Sequence, residues 1–388
     1  MSDRATEGFS TVHGDGRLGF MRSALDRWRS FRASLVARPG FRQFAASFPL
    51  TRAVARRRTR ALFDLAAGFV YSQVLSSFVQ LGLVDYLHAA PRNIADIAHH
   101  AGLPQPGALR LLKAAIALDL AAEGADGRYR LGETGAALVG NDGVLAMIAH
   151  HEMLYEDLAD PVALLKGQAR TRLQRFWSYA GGEADDCGAA SSYSQLMSRS
   201  QEMVAREVLA VLPLRTHRRL LEIGGGSGAF AMAAARRYPR LRLDLFDLPP
   251  VAEIAAGRIE QARLSTQITV HGGNAFEAPL PAGADIATLV RVLHDHDDDA
   301  ALALLRASHA SLAAGGTMVV AEPMAGTKGA EPAGHAYFGF YLLAMGQGRP
   351  RTWAEIAGMM QQVGFVDIRE LATATPLIVR VAAGRKPA

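Results

Sequence analysis

Cysteine is almost absent from this sequence of 388 residues, which contains one, Cys187. A single cysteine excludes an intramolecular disulfide and a thiolate metal cluster. The sequence also has no apolar run that predicts a membrane span and no signal-peptide core near its start. Hydrophobic residues make up 49% and charged residues 20% of the chain, as in a globular protein. We therefore expect two domains and a cytoplasmic location.

Lysine is missing from residues 1–60, which contain 13 arginines and 4 acidic residues and so carry a net charge of +9. The remaining residues hold 29 basic and 33 acidic side chains, a net charge of −4. Between Phe20 and Leu35, apolar residues recur at helical spacing with arginines between them. Such a basic amphipathic helix predicts peripheral contact with the inner-membrane surface. Packing of this arm on its own body or on a second subunit is the alternative.

The next part of the chain has the pattern of a helical domain. Residues 61–85 have apolar positions at mixed spacings of three and four, which predicts a largely buried helix. Two shorter helices, the second over 106–118, and a ribbon near 127–131 then give the pattern of a winged helix. The second helix offers only Arg110 and Lys113 to nucleic-acid phosphates. We therefore predict that this domain serves dimerisation and binds no nucleic acid.

From Arg219 onward, strands alternate with helices, and this alternation predicts a parallel sheet with helices on both faces. The final two strands have no helix between them and predict an antiparallel hairpin. Strands are predicted at 219–224, 241–246, 267–271, 285–291, 316–322, 366–371 and 376–382, and helices between them include 298–313 and 353–363. The domain prediction is an arm at 1–60, a helical domain at 61–205 and an α/β domain at 206–388.

The run L-L-E-I-G-G-G-S-G at 220–228 ends a buried strand with a glycine-rich turn. Glycine permits positive φ and lets a ligand approach the backbone. The spacing G-x-G-x-G brings the third glycine, Gly228, one residue early for the dinucleotide fingerprint, and no Lys-Ser or Lys-Thr follows as in a P-loop. Glu222 precedes the first glycine by two residues and suits an amine-bearing ligand. The turn therefore predicts binding of S-adenosylmethionine (SAM).

Asp247 ends the next strand, 19 residues after Gly228. A doubly wound fold places a ribose-binding carboxylate at this point. Asp244 lies on the opposite face of the same strand, where we expect it to be solvated.

His294 follows the fourth strand of the predicted sheet, at the edge where active sites of such folds lie. A neutral imidazole there can accept the proton of a hydroxyl that attacks a methyl group. Glu322 ends the fifth strand and is predicted to support the other ring nitrogen. A metal site that includes His294 and His296 is an alternative. The acids at 297–299 are interpreted as the start of the following helix.

Four segments together resemble the SAM-dependent O-methyltransferases of the caffeate and acetylserotonin type. They are 220–228, D-L-P-P-V at 247–251, R-V-L-H-D-H-D-D at 291–298 and V-A-E-P at 320–323. The resemblance covers roughly residues 61–388. It implies a class I methyltransferase fold, a Rossmann-like doubly wound α/β sheet with an N-terminal winged-helix dimerisation domain. It also implies a homodimer, a hydrophobic small-molecule acceptor, S-adenosylhomocysteine as product and no metal.

The resemblance also assigns residues to the site, with His294 as the base and Glu322 as its supporting acid. The residues implied to bind SAM are Glu222, Gly224, Gly226, Asp247, Leu248, Asn274, Ala275 and Arg291. Tyr193 and Met197 match positions that line the acceptor cavity. Independently of the resemblance, Phe338, Tyr341 and Met345 are candidates for its lining, although core packing explains them equally well.

The sequence departs from the family pattern at three positions. His296 stands where the family has Trp, and Asn274 stands where an Asp binds the adenine amino group. Pro350 occupies the position of a second supporting acid. An amide oxygen still accepts a hydrogen bond, so we expect SAM binding to survive, with one supporting carboxylate for His294 in place of two.

Within the family, the arginine-rich arm and the segments 63–75 and 348–352 are most similar to the carotenoid O-methyltransferases of purple photosynthetic bacteria. This similarity implies methylation of the tertiary hydroxyl of hydroxyneurosporene or demethylspheroidene. Three alternatives remain: C-methylation of a bacteriochlorophyll-type tetrapyrrole, O-methylation of a phenolic or polyketide molecule, and a SAM-sensing winged-helix regulator without activity.

Overall fold

The computed structural model describes residues 15–178 and 201–388, with side chains described at 25–175 and 201–388. The chain divides into two compact units, Met1–Val74 and Leu75–Ala388. The first unit consists of helices α1 (Asp15–Ala37), α2 (Pro39–Ser47) and most of α3 (Pro49–Gln80). Proline occupies the first turn of α2, where its missing N–H has no helical partner to lose.

The apolar side chains in the first half of the predicted 61–85 helix are exposed. Leu62, Phe63, Leu65 and Phe69 are between 64% and 81% exposed, and the first buried residue of α3 is Ser76. The prediction of a largely buried helix is therefore wrong for this half. Apolar periodicity indicates that a face is covered, but it does not say by which chain.

Helix α3 also contains an 18-residue window with a mean hydropathy of 1.4, of which 11% is buried. By length and composition alone this helix is apolar enough to cross a membrane, so the prediction that no apolar run reaches that length is wrong. It is the one helix within the described residues that meets this criterion.

The second unit begins with the end of α3, and the predicted winged helix follows. Its elements are α4 (Leu83–Ala89), α5 (Ile94–His100), α6 (Gln105–Ala117) and the antiparallel strands β1 (Ala121–Glu123) and β2 (Tyr129–Leu131). The Asn93 side chain accepts a hydrogen bond from the Asp96 N–H at 2.8 Å and caps the start of α5. This arrangement confirms the predicted helix–helix–ribbon order.

The described residues between the ribbon and the sheet are largely helical, as predicted. They are α7 (Glu133–Ala136), α8 (Asp142–Asp157), α9 (Pro161–Leu165), α10 (Arg172–Ser178) and α11 (201–211).

The α/β part contains a seven-stranded sheet in the order β5-β4-β3-β6-β7-β9-β8. Its strands are β3 (Arg219–Ile223), β4 (Arg242–Asp247), β5 (Ile268–Gly272), β6 (Ala284–Val290), β7 (Leu312–Glu322), β8 (Val366–Leu371) and β9 (Arg380–Arg385). The helices are α12 (Ala229–Arg237), α13 (Pro249–Gln261), α14 (Asp298–Ser311), a π-helix (Ala333–Phe338), α15 (Gly339–Met345) and α16 (Trp353–Val363). The first five strands pair in parallel, and β9 lies antiparallel between β7 and β8. Apolar side chains form two separate buried clusters in this part. The predicted doubly wound sheet and its final hairpin are confirmed.

Two local predictions are wrong. The last strand begins at Arg380, later than predicted, because Thr375 binds the Glu207 carboxylate and starts a turn. Asp244 is buried, and its carboxylate accepts from Arg219 Nε at 2.7 Å and lies 2.8 Å from His271 Nε2. Cationic and imidazole partners from neighbouring strands replace the expected water.

Candidate active site

The glycine-rich turn follows β3, and its backbone has the conformation that glycine permits. Gly224, Gly226 and Gly228 have φ values of 68°, 56° and 80°. A Cβ on Gly224 would lie 2.7 Å from Val292 Cγ2, and one on Gly225 would lie 2.7 Å from Leu245 Cγ. The turn therefore passes too close to its neighbours for a side chain. Sequence reasoning missed the requirement at Gly225, which depends on a contact with β4.

Asp247 lies against this turn at the carboxyl end of β4. Its Oδ2 accepts a hydrogen bond from the Gly226 N–H at 2.7 Å, and its Oδ1 accepts one from the Leu248 N–H at 2.7 Å. Burial raises the pKa of this carboxyl above its ordinary value. A carboxylate has about four acceptor sites, so both oxygens keep capacity for ribose hydroxyls. The geometry fits the role predicted from the sequence.

Glu222 is buried at the end of β3, and its Oε2 has no hydrogen-bond partner among the described residues. Burial, followed by the charge of Asp247, raises the pKa of Glu222 to about 8. An unpartnered buried carboxyl oxygen favours a ligand with positive charge or N–H donors. The amino group and sulfonium of SAM have this chemistry.

The predicted adenine-binding turn follows β5. The Asn274 Oδ1 accepts a hydrogen bond from the Phe276 N–H at 3.1 Å, which holds the backbone of Ala275 between them. The ring of His296 meets Phe276 edge to face at 5.3 Å. His296 thus makes an aromatic contact at the position where the family has Trp.

Arg291 directly follows β6 and has a φ of 57°, which is uncommon for a residue with a side chain. Its N–H donates to the Ala321 carbonyl at 2.7 Å. This backbone conformation ends the strand one residue earlier than predicted and turns the chain towards His294.

His294 lies in a short turn, Leu293–Asp295, and is 3% exposed. Its ring Nε2 is 3.3 Å from Asp295 Oδ1, and its Nδ1 has no hydrogen-bond partner among the described residues. Burial, followed by the charges of Arg291 and Arg351, lowers the pKa of His294 to about 3. The imidazole is therefore neutral at pH 7. With its proton on Nε2, the ring has an unshared lone pair on Nδ1 that can accept a hydrogen bond.

Glu322 lies beside His294 at the end of β7, as predicted, but it contacts a different group. Its Oε2 accepts from the His294 backbone N–H at 3.0 Å, and its Oε1 has no partner among the described residues. The expected contact with the ring is wrong, because the turn at Leu293–Asp295 directs the backbone N–H towards β7. The carboxyl group next to the ring is Asp295, which sequence reasoning missed and whose pKa burial raises to about 7.

Arg351 binds the backbone of the loop that carries His294. Its side chain is fully buried and donates to the carbonyls of Leu293 and His296 at 2.8 and 2.7 Å. It also donates to Asp298 Oδ1 at 2.8 Å. Asp298 begins α14, in agreement with the predicted helix start. Pro350 occupies the position of the family's second supporting acid. The next residue, Arg351, instead fixes the loop that carries His294.

Of the predicted cavity residues, Phe338 lies next to His294, with ring centroids 6.1 Å apart. Tyr341 and Met345 are buried in a helical cluster, and the Tyr341 hydroxyl lies 3.0 Å from His150 Nε2. Tyr193 and Met197 lie outside the described residues.

A second pair, Tyr337 and His151, was missed by sequence reasoning. The Tyr337 hydroxyl is 2.8 Å from His151 Nε2, and both side chains are half-buried. Tyr337 belongs to the π-helix and meets Phe338 edge to face at 5.0 Å. Short π-helical turns are frequent at functional sites. The described residues include no group of three or more His, Cys, Asp or Glu side chains that would hold a metal ion.

Comparison with known families agrees with this geometry. Residues 155–366 match the O-methyltransferase domain, and residues 63–141 match the O-methyltransferase dimerisation domain. The chain belongs to the O-methyltransferase family, and it is a SAM-dependent enzyme of that family. The dimerisation domain supports a homodimer.

Similar proteins include the demethylspheroidene O-methyltransferase of Cereibacter sphaeroides, which is 41% identical over 89% of this chain and 92% of its own length. The enzyme with the same description from Rhodobacter capsulatus is 41% identical over 86% of this chain and 84% of its own length. Among solved structures, human N-acetylserotonin methyltransferase in complex with SAM has a TM-score of 0.68 at 24% identity, over 85% of this chain and 98% of its own.

Proposed function

We propose that this enzyme transfers the methyl group of SAM to the tertiary hydroxyl of a long acyclic carotenoid of the demethylspheroidene type. The observation that carries the proposal is the position of His294, a buried neutral base beside a glycine-rich turn that fits SAM. The 41% identity to two demethylspheroidene O-methyltransferases supports the choice of acceptor.

Seven residues besides Glu222 are proposed to hold SAM: Gly224, Gly226, Asp247, Leu248, Asn274, Ala275 and Arg291. SAM supplies an electrophilic methyl group on a sulfonium when it is bound. The glycine turn admits it, and Asp247 binds its ribose. Glu222 faces the turn with an unpartnered oxygen that suits a cationic group.

His294 is proposed as the base and Glu322 as a residue that positions it. The Glu322 carboxyl binds the backbone N–H of His294, so it fixes the loop while Asp295 orients the ring. An aliphatic alcohol is a far weaker acid than imidazolium, so the His294 nitrogen accepts the proton as the oxygen attacks. A base in this position typically contributes ~10²–10⁴-fold to the rate, and alignment of the two reactants contributes more.

The three predicted parts of the chain are also proposed to have separate roles. Residues 206–388 carry the chemistry, residues 61–205 form the dimer and part of the acceptor cavity, and residues 1–60 make peripheral contact with the membrane in which a carotenoid is dissolved. We propose that nucleic acid is not a partner.

The decisive experiment incubates purified protein with methyl-labelled SAM and detergent-dissolved acyclic carotenoid that has a tertiary hydroxyl. Parallel reactions contain a phenol or a bacteriochlorophyll-type tetrapyrrole. We expect label in a carotenoid methyl ether. Label on a tetrapyrrole carbon, or bound SAM with no methylated product, would contradict the proposal.

The role of the base is tested by His294→Ala, with exposed His88→Ala as control. We expect turnover to fall by roughly 10²–10⁴-fold in the first variant and to stay unchanged in the second, with SAM affinity near normal in both. If turnover of His294→Ala stays within a few-fold of the parent enzyme, the assignment of His294 as the base is wrong.

A further inference from the structure

The basic arm, defined here as residues 25–60, has an exposed surface with no counterpart elsewhere in the described chain. Twelve of the nineteen exposed large apolar side chains of the described residues lie between residues 25 and 70, and seven of these belong to the arm. The arm contains ten arginines and one acid, Asp26, so it carries the +9 charge of residues 1–60.

None of the described side chains in the arm is buried. Helices in proteins gain most of their stability from the packing of an apolar face, because helix formation alone is marginal in water. The helical segments at 25–37, 39–47 and 49–60 contain no buried residue and therefore have an apolar surface that needs a partner to cover it.

Aromatic side chains on this surface occur in two pairs. Trp28 and Phe31 lie one turn apart with ring centroids at 5.9 Å, and Phe44 and Phe48 stack at 5.2 Å. Each of the four side chains is between 40% and 56% exposed. Tryptophan and other aromatic residues favour the boundary between lipid tails and headgroups, where their rings are partly dehydrated.

A cleft between α2 and α3 has a volume of about 410 Å³. Its lining includes the apolar Ala46, Ala55 and Phe63 and the cationic Arg56 and Arg60. The planar guanidinium group binds phosphate through two parallel hydrogen bonds. The cleft thus combines surfaces for an acyl chain and for a phosphate headgroup.

We propose that the basic arm docks on the surface of an anionic phospholipid bilayer. Charge decides between this partner and a second copy of the chain. Two arms of charge +9 repel each other, and the family's dimerisation domain begins only at residue 63. An anionic headgroup layer attracts each arginine near its surface. The inference rests on the proposed function for its purpose, since a carotenoid acceptor is dissolved in the bilayer.

The test measures partition of the full-length dimer onto vesicles of phosphatidylglycerol and phosphatidylcholine, and onto vesicles of phosphatidylcholine alone. We expect binding to the anionic vesicles and release by high salt, because charge attraction is screened. Absence of binding to anionic vesicles, or binding that high salt leaves intact, would overturn the proposal.

Two variants locate the surface. Arg56→Gln/Arg57→Gln/Arg58→Gln should weaken partition by about 100-fold, and Trp28→Ala/Phe31→Ala by about tenfold. The matched control replaces three exposed arginines outside the arm by glutamine, at Arg236, Arg237 and Arg240. It removes the same charge and should change partition only slightly. Equal effects of the two triple variants, or conversion of the dimer to a monomer by either arm variant, would show that the arm does not dock on lipid.

Methyl transfer is measured separately with detergent-dissolved carotenoid, for which the arm is not needed. Failure of vesicle binding with intact methyl transfer overturns only the membrane inference. Vesicle binding without methyl transfer to any carotenoid overturns the proposed function.

Discussion

Replacement of Arg351 by Met tests how the His294 loop is held in place. The variant keeps the apolar stem of the side chain but leaves the Leu293 and His296 carbonyls without their donors, which now lie at 2.8 and 2.7 Å. A buried acceptor without a partner costs about 1–3 kcal/mol. One of these carbonyls is fully buried and the other partly, so we expect a loss of about 2–4 kcal/mol in the free energy of unfolding.

The same change should slow methyl transfer, because a base displaced by about 1 Å costs roughly 100-fold in rate. SAM affinity should stay within a few-fold, since the glycine turn and Asp247 do not contact Arg351. The assays are urea denaturation, calorimetric titration with SAM, and turnover with labelled SAM.

Arg349→Met is the matched control, because Arg349 binds the same Asp298 carboxylate but is 40% exposed. An exposed ion pair is worth about 0.2–1 kcal/mol, and Arg349 makes two, with Asp298 and Glu355, so this variant should lose less than about 2 kcal/mol. Similar small losses in both variants would refute the reasoning that the buried arginine fixes the loop.

Three further variants test other parts of the site. Gly225→Ala places a Cβ 2.7 Å from Leu245 Cγ, so we expect about 1–3 kcal/mol of destabilisation in thermal unfolding and weaker SAM binding. The control is Gly257→Ala, where a Cβ meets nothing within 4 Å, and this variant should be slightly more stable than the parent. An unchanged stability of Gly225→Ala would be inconsistent with the described turn. Tyr337 contacts Phe338, a predicted cavity residue, and its hydroxyl is bonded to His151. If it thereby shapes the acceptor site, Tyr337→Phe should raise the KM for the acceptor about tenfold with SAM affinity unchanged, and an unchanged KM would exclude Tyr337 from the site. Glu222 has a pKa raised to about 8 against an ordinary 4.5, so its contribution to stability is full below pH 4.5 and is lost as the pH rises through 8. Denaturation between pH 6 and 8 should therefore show a smaller loss of stability in ligand-free Glu222→Gln than in the parent, by up to about 1.4 kcal/mol per pH unit, and parallel pH profiles would argue against a proton on Glu222.

Much of the fold was predictable because its signals are local. Strand and helix alternation from Arg219, the glycine spacing at 224–228 and the missing helix before the last strand each depend on neighbouring residues. The start of α14 at the acids 297–299 is of the same kind. These features follow from backbone geometry and side-chain periodicity, which a sequence displays directly.

Contacts between distant segments were not predictable in the same way. Glu322 is near His294 as expected, but whether it meets the ring or the backbone depends on a single turn after β6. The pairing of His151 with Tyr337 joins residues 186 positions apart, and no local pattern in the sequence indicates it.

The sequence by itself determined the class of fold, and it predicted the glycine-rich turn at 224–228, Asp247 and His294 as site residues, because each is specified by residue type at a fixed position along a strand or turn. Only the tertiary structure decided that Asp295, and not Glu322, lies beside the imidazole and that Arg351 anchors its loop. It also decided that the basic arm and the first half of the 61–85 segment leave their apolar side chains exposed. Periodicity indicates a covered face, whereas the partner that covers it depends on surfaces that meet only after folding or on binding.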